Sequence, residues 1–293
     1  MKNNTGRHTS IEAKARQKNY RLFVQLAFAA VTNGYLKGFS KGQIFTGPTK
    51  YLCLPGMNCY SCPGALASCP IGSLQATLNA RQFKLALYVL GLLTVFGTLS
   101  GRFVCGFLCP FGLIQDLLFK IPFVKKFRRL PGEKGLRWLR FLFLGVFVIL
   151  LPLFVIDITG LGEPWFCKWI CPVGTLEGGI PLVLLNNAMR GAAGFLFRWK
   201  FLILIITLLG SIIIYRPFCR YVCPLGAVYS LFNKISLYRI KIDSEKCVRC
   251  GACQKNCKLD IPVWKNPDSM DCIRCGDCKS ACPHSAITTT FLK

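Results

Sequence analysis

Apolar residues gather in unbroken runs along this chain instead of alternating with polar ones. The clearest runs are Leu85–Gly101, Phe141–Ile156 and Phe201–Tyr215. A weaker run, Leu22–Leu36, is interrupted by Gln25 and Asn33. A helix needs about 20 apolar residues to cross a bilayer core, and the flanks of each run extend it to a plausible span. Buried helices of a large soluble core are the competing reading, but Leu85–Gly101 and Phe141–Ile156 carry no polar face at helical period. The pattern predicts a mainly α membrane protein with about four transmembrane helices. The start of the chain, with Lys2, Arg7, Lys14, Arg16, Lys18 and Arg21 ahead of an apolar run, has the outline of a signal peptide. The polar interruptions and the lack of a clean small-residue cleavage site favour an uncleaved first span.

Charge then orients the spans. The chain has 293 residues and a formal net charge of +25. In a membrane protein, positive charge mostly marks the cytoplasmic side. The densest cluster is Lys120, Lys125, Lys126, Arg128, Arg129, Lys134, Arg137 and Arg140, between the second and third runs. That loop is expected inside, and with it both termini of a multi-pass protein in a prokaryotic cell membrane. Nucleic acid is not an expected partner, because a soluble basic domain with exposed aromatics is not visible.

The 18 cysteines supply the chemistry. Cys247, Cys250, Cys253 and Cys257 follow C-x2-C-x2-C-x3-C; Cys272, Cys275, Cys278 and Cys282 repeat it, with Pro283 after the last. This is the bacterial two-cluster ferredoxin run, in which the fourth cysteine ligates the other cluster. One 4Fe-4S cluster is expected on Cys247, Cys250, Cys253 and Cys282. The second is expected on Cys272, Cys275, Cys278 and Cys257. Lys258 stands where proline usually follows the fourth cysteine, which removes no ligand. Zinc favours paired C-x2-C ligands, not tandem triplets with a trailing cysteine.

Ten cysteines remain. Cys105-x3-Cys109-Pro110, Cys167-x3-Cys171-Pro172 and Cys219-x3-Cys223-Pro224 share one pattern, and a degenerate copy ends at Cys69-Pro70. Glycine follows two residues after each of these prolines, at Gly72, Gly112, Gly174 and Gly226. This is an internal repeat. It predicts two tandem pseudo-repeats with short interfacial helices after Cys109 and Cys223, and a small α+β ferredoxin domain behind them. The divisions are 1–19 as a basic cytoplasmic N-terminus, 20–136 and 137–240 as membrane repeats, and 241–293 as the ferredoxin domain. Two C-x3-C pairs give the four thiolates that a cubane needs. An inner cluster is expected on Cys105, Cys109, Cys219 and Cys223. An outer cluster, at the opposite face near Trp165 and Trp169, is expected on Cys62, Cys69, Cys167 and Cys171, with Cys59 as the alternative to Cys62. A site made by Cys53, Cys59, Cys62 and Cys69 alone is a rival arrangement. Cys53 and its unused neighbour are left for a disulfide, an extra ligand or a reactive thiol.

The C-x3-C-P pairs joined to a two-cluster ferredoxin resemble the NapH/NosR/YccM group of membrane-bound ferredoxin-type proteins. Residues 102–110 (RFVCGFLCP) and 216–224 (RPFCRYVCP), with the eight ferredoxin cysteines, carry the resemblance. It implies a polytopic protein that moves electrons between a membrane donor and a partner oxidoreductase. The large flavin-binding domain of the NosR type is absent here, whereas the Cys53–Cys69 loop and the pair at Cys167 and Cys171 are additions. These favour a wire across the whole membrane, linking a cytoplasmic carrier (a soluble ferredoxin or flavodoxin-like donor) with a membrane or extracytoplasmic redox partner. The expectation is an electron-transfer component more than a self-contained enzyme. The alternatives are a metal-ion reductase, or a maturation factor for metallo-oxidoreductases, using the outer cysteine loop. The only histidines, His8 and His284, lie outside the runs, so haem is not expected; no motif predicts nicotinamide or flavin binding. Asp116, Glu163, Glu177 and Asp157 are read as caps or interfacial charges. Arg102, Arg216 and Arg220 are placed to offset cluster charge or to anchor the interface.

Overall fold

Proline and glycine decide where the long helices bend and the short ones begin. We describe a computed structural model, in which residues 4–80, 83–122, 125–155, 162–191 and 193–291 are described; Asp157 lies outside them. Helix α1 runs Asn4–Thr32 and a short α2 covers Leu36–Lys41. After a loop come α3 (Pro70–Asn79), α4 (Phe83–Ser100), α5 (Phe103–Phe107) and α6 (Pro110–Leu118). Helix α7, Glu133–Phe154, widens into a π-helical stretch at Phe143–Leu150 just before Pro152. Proline lacks the N–H that would bond one turn back and clashes with that carbonyl, and a widened turn relieves both. The same device precedes Pro181 in α9 (Gly174–Leu185), which follows the single π turn α8 (Phe166–Ile170). Then come α10 (Asn187–Gly191), α11 (Phe195–Ile213), α12 (Pro217–Tyr221) and α13 (Pro224–Phe232).

Among the described residues two helices, α7 and α11, are long and apolar enough to cross a bilayer. Helix α4 is also apolar but shorter, and α9 shorter still. The surface is turned inside out. Tyr20, Phe23, Leu26 and Val31 of α1 face outward, while Arg21, Gln25 and Thr32 of the same helix are buried. The outward faces of α4, α7 and α11 are likewise apolar, at Leu87, Phe154, Leu202 and Ile206. Buried arginine and glutamine beneath an apolar shell is the arrangement lipid demands, since polar groups there must find protein partners. The helices after Cys109 and Cys223 do not lie along a surface. Phe111 in α6 and Tyr229 in α13 are fully buried, because each short helix packs against the long helix of the other half, α6 on α11 and α13 on α4.

The C-terminal unit has the ferredoxin layout. Strand β1 (Tyr238–Ile242) pairs antiparallel with β2 (Ile287–Phe291), Tyr238 opposite Phe291 and Ile242 opposite Ile287. Helices α14 (Ala252–Asn256) and α15 (Asp277–Ser280) lie between. Each is preceded by a glycine in left-handed backbone, Gly251 at φ 72° and Gly276 at φ 80°. Only glycine takes that conformation cheaply, which is why the first C-x2-C of each run is followed by glycine.

A buried polar latch joins this unit to the helices. Asn233 Oδ1 accepts from Arg102 N–H at 2.9 Å, and its amide donates to Ser269 O (2.9 Å) and Cys272 O (2.8 Å). Arg274 reaches back to Ser100 O at 3.1 Å and to Asn233 O at 2.8 Å. Asp271 pairs with Arg137 (2.5 Å) and Arg140 (2.8 Å). Burial works to raise the Asp271 pKa, but Arg140, Arg102 and Arg137 outweigh it and the net direction is down. Replacing Asn233 by Ala orphans several buried groups, each costing about 1–3 kcal/mol. The expected outcome is faster proteolytic release of the C-terminal module from detergent-solubilised protein, with Asn233→Asp intermediate because it keeps the acceptor.

Candidate metal centres

The Cys-Pro-x-Gly motif is a helix start. Cys109 and Cys223 are N-caps with proline at the first helical position, and their sulfurs accept from Gly112 N at 3.4 Å and Gly226 N at 3.3 Å. Cys69 is likewise an N-cap with proline at the first helical position, without that sulfur contact. Proline loses nothing at this position because its N–H would be unpaired anyway. The positive end of the helix dipole faces the thiolate. The glycines make room for the other half. A Cβ at Gly112 would sit 3.1 Å from the Arg216 guanidinium, and one at Gly226 would sit 3.3 Å from Arg102 Nη2.

These starts bring the thiols into sets. Cys109 and Cys223 lie within electrostatic reach of Cys105 and Cys219. Buried arginines hold the set: Arg102 donates to Cys219 O at 3.1 Å, and Arg216 donates to Cys105 O. Arg216 is itself clamped by Asp116, Nε to Oδ1 at 2.8 Å and Nη2 to Oδ2 at 2.6 Å, and Arg21 also pairs with Asp116. Asp116 is therefore the counter-ion of two buried arginines, not a cap. Arg220 turns away, to Glu133 at 2.5 Å and Arg128 O at 3.1 Å.

The second set surrounds a cavity of about 210 Å³ lined by Cys59, Cys69, Cys167 and Cys171 together with Met57, Gly72, Gly174 and Lys200. A Cβ at Gly72 would stand 3.8 Å from Cys167 Sγ, and one at Gly174 would stand 3.7 Å from Cys59 Sγ. The volume exceeds the ~150 Å³ that accepts benzene and falls short of the ~300 Å³ at which drug-sized sites begin. Four inward sulfurs around a small bare cradle fit a compact inorganic cluster. Cys59 is the residue brought to this cavity, and Cys62 is not: its sulfur accepts instead from the backbone of Gly64 and Ala65. The Cys59 position is secured by Glu177, whose carboxylate accepts Cys59 N–H at 2.7 Å. Cys53 is buried beside Ser73, and neither Cys53 nor Cys62 forms a disulfide. Trp165 and Trp169 stack 6.3 Å apart beside the set, and Glu163 pairs with Lys168.

The two sets do not lie a bilayer apart. Met57 lines the second cavity, and its Sδ is 3.2 Å from Cys223 Sγ in the first set. Buried Tyr229 lies within electrostatic reach of Cys69 and also of Cys105, Cys109 and Cys223. The reason is α3. It ends at Asn79, α4 begins at Phe83, and the two pack side by side. Ten residues rise about 15 Å, so Cys69 at the start of α3 is set back deep along α4. The Cys53–Cys69 loop then crosses Leu108, whose carbonyl would be 2.5 Å from a Cβ at Gly56.

In the ferredoxin unit, Cys247, Cys250, Cys253 and Cys282 line one small pocket. Cys257 joins Cys272, Cys275 and Cys278. Burial is the main cause that pushes the Cys272 thiol up to about 11 and Cys275 up to about 12. Without iron these thiols hold protons at neutral pH, so loading the site releases them. The second triplet abuts the first membrane set: a Cβ at Gly106 would meet Ile273 O at 2.5 Å. Arg102, which holds Cys219 O, also donates to Met270 O at 3.2 Å.

A 4Fe-4S binding domain model matches residues 85–131, 144–180 and 197–243, one C-x3-C-P pair in each match. Two further 4Fe-4S binding domain models match residues 238–259 and 266–288. Among curated proteins, the chain is 28% identical over 197 residues to an uncharacterized protein of Methanocaldococcus jannaschii, covering 66% of each chain. It is 28% identical over 172 residues to the putative electron transport protein YccM of Escherichia coli, covering 40% of this chain and 47% of YccM. It is 28% identical over 196 residues to the ferredoxin-type protein NapH of Haemophilus influenzae, covering 65% of this chain and 60% of NapH. The chain is a 4Fe-4S ferredoxin-type protein of the NapH/NosR/YccM kind. It binds 4Fe-4S clusters. The chain spans 66%, 47% and 60% of the lengths of the three relatives. No solved structure matches it.

Three residues escaped the sequence reading. Met57 gave no signal, since lone methionines pack anywhere. Gln75 and Gln115 did leave a trace, each six residues after a Cys-Pro cysteine. The expected outcome for ligand choice is that Cys59→Ser loses about four irons per chain, one cubane, while Cys62→Ser keeps its full content, as measured by iron and acid-labile sulfide assays.

Proposed function

We propose that this protein is a multi-pass membrane relay with four cubane sites in series, carried by Cys247, Cys250, Cys253 and Cys282; by Cys272, Cys275, Cys278 and Cys257; by Cys105, Cys109, Cys219 and Cys223; and by Cys59, Cys69, Cys167 and Cys171. A bound 4Fe-4S cluster at each site supplies a one-electron acceptor and donor. The protein's own residues do the rest. They hold each thiol set, exclude water and keep neighbouring sets close. The contact of Met57 with both membrane sets carries this reading, because a single side chain leaves no long gap between them.

The cytoplasmic partner in this reading is a soluble ferredoxin or flavodoxin-like protein. Cys250 is the exposed ligand, and Lys246 and Arg249 lie beside it on the same pocket. The far partner is a membrane or extracytoplasmic redox protein served by the set at Cys59. Both termini are cytoplasmic, and residues 20–136 and 137–240 act as paired repeats ahead of the ferredoxin domain at 241–293. The crossed packing of α6 on α11 and α13 on α4 supports the pairing.

Purified protein is expected to carry iron and sulfide near sixteen each per chain, and about eight each would leave only the ferredoxin pair. In proteoliposomes, Cys219→Ser is expected to keep a ferredoxin module reducible by a soluble donor while electron delivery to an enclosed oxidant collapses. Undiminished delivery in that variant would sink the relay.

A further inference from the structure

The sixth residue after each Cys-Pro cysteine is Gln75, Gln115, Glu177 and Tyr229. All four reach across to the other half of the chain. Gln75 Nε2 donates to Cys167 Sγ at 3.2 Å, and Gln115 Nε2 donates to Cys219 Sγ at 3.1 Å. Glu177 instead accepts from Cys59 N, and Tyr229 donates to Pro55 O at 2.9 Å. The two glutamines are fully buried. Their amide orientations follow from their neighbours. Gln75 Oε1 accepts Phe166 N–H at 3.0 Å, so its NH₂ must face the sulfur. Gln115 Nε2 also donates to Phe111 O at 3.4 Å, a group that can only accept.

We propose that Gln75 and Gln115 are sulfur-directed donors that set the redox potentials of the two membrane centres, one glutamine per centre. The chemistry is direct. A reduced cluster carries one more negative charge than an oxidised one, and part of it resides on the cysteine sulfurs. A fixed N–H aimed at such a sulfur stabilises the reduced form more than the oxidised form, which raises the potential. Water does not substitute, because both side chains are sealed from solvent. Each donor sits on the first cysteine of a C-x3-C pair, at the same sequence offset, from a different helix. The second-half counterparts lack an amide, so each centre receives this contact once. These glutamines are positioning residues. The inference rests on the assignment of 4Fe-4S clusters to the two membrane sets.

The test is a redox titration of full-length protein monitored by electron paramagnetic resonance, alongside iron and sulfide counts. Gln75→Leu is expected to lower the potential of the centre at Cys59, Cys69, Cys167 and Cys171 only, and Gln115→Leu that of the other only. The expected shift is about tenfold in the oxidised-to-reduced ratio, 59 mV for a one-electron couple. Gln→Met at each position, unbranched but without N–H, should give the same shift. Unmoved potentials with full iron would overturn the proposal while leaving the relay intact. Loss of iron from both the Leu and Met variants would also overturn it, making the glutamine a structural prop. Absence of the two membrane centres from unaltered protein would instead defeat the relay reading itself.

Discussion

Everything in this molecule depends on bringing thiols from distant chain segments together inside an apolar shell. A buried thiolate is costly unless its charge is met by donors, counter-ions or metal. Here each Cys-Pro cysteine meets the first turn of its own helix, then the glycine-lined face of the other half. Arg102 and Arg216 hold carbonyls of the neighbouring cysteines from behind. The buried cations, the crossed helix packing and the glycine at every helix start are consequences of that one requirement.

The arrangement also explains why the ferredoxin unit is not a tethered bead. Asn233 touches Arg102 on one side and the backbone of Cys272 on the other. The polar groups that support a membrane set therefore also position the nearest ferredoxin triplet. Breaking one contact disturbs both ends, which is the property expected when spacing between redox sites has to be fixed rather than averaged over motion.

Much of this was legible in the amino-acid order, and the failures are instructive. The ferredoxin ligands follow from spacing alone, because local backbone geometry dictates which sulfurs converge. The C-x3-C-P pairs were readable as one repeated device for the same reason. Depth was not readable. Cys69 precedes a ten-residue helix, too short to cross lipid, and taking it as an outer-face residue ignored that Pro70 starts a helix that doubles back on α4. The choice between Cys59 and Cys62 was also closed to periodicity, since loop conformation decides it and Glu177, far along the chain, fixes Cys59. Arg21 read as part of the basic lead-in and Gln25 as a break in a weak span; their purpose appears only with Asp116 and Gly106 O, which they bond in the folded protein.

That last pairing has a consequence for biogenesis. An arginine in a lone membrane helix costs up to about 2.5–3.5 kcal/mol, the value at the helix centre, and Arg21 stands at the edge of its apolar run. Helix α1 leaves the ribosome before Asp116 exists, so Arg21 and Gln25 have no such partner when the helix is first made. That polar face is paired only once α6, which carries Asp116, has been synthesised. Seating of the first helix is thereby made conditional on a later one, and a chain truncated before Asp116 would betray itself by an unseated N-terminus.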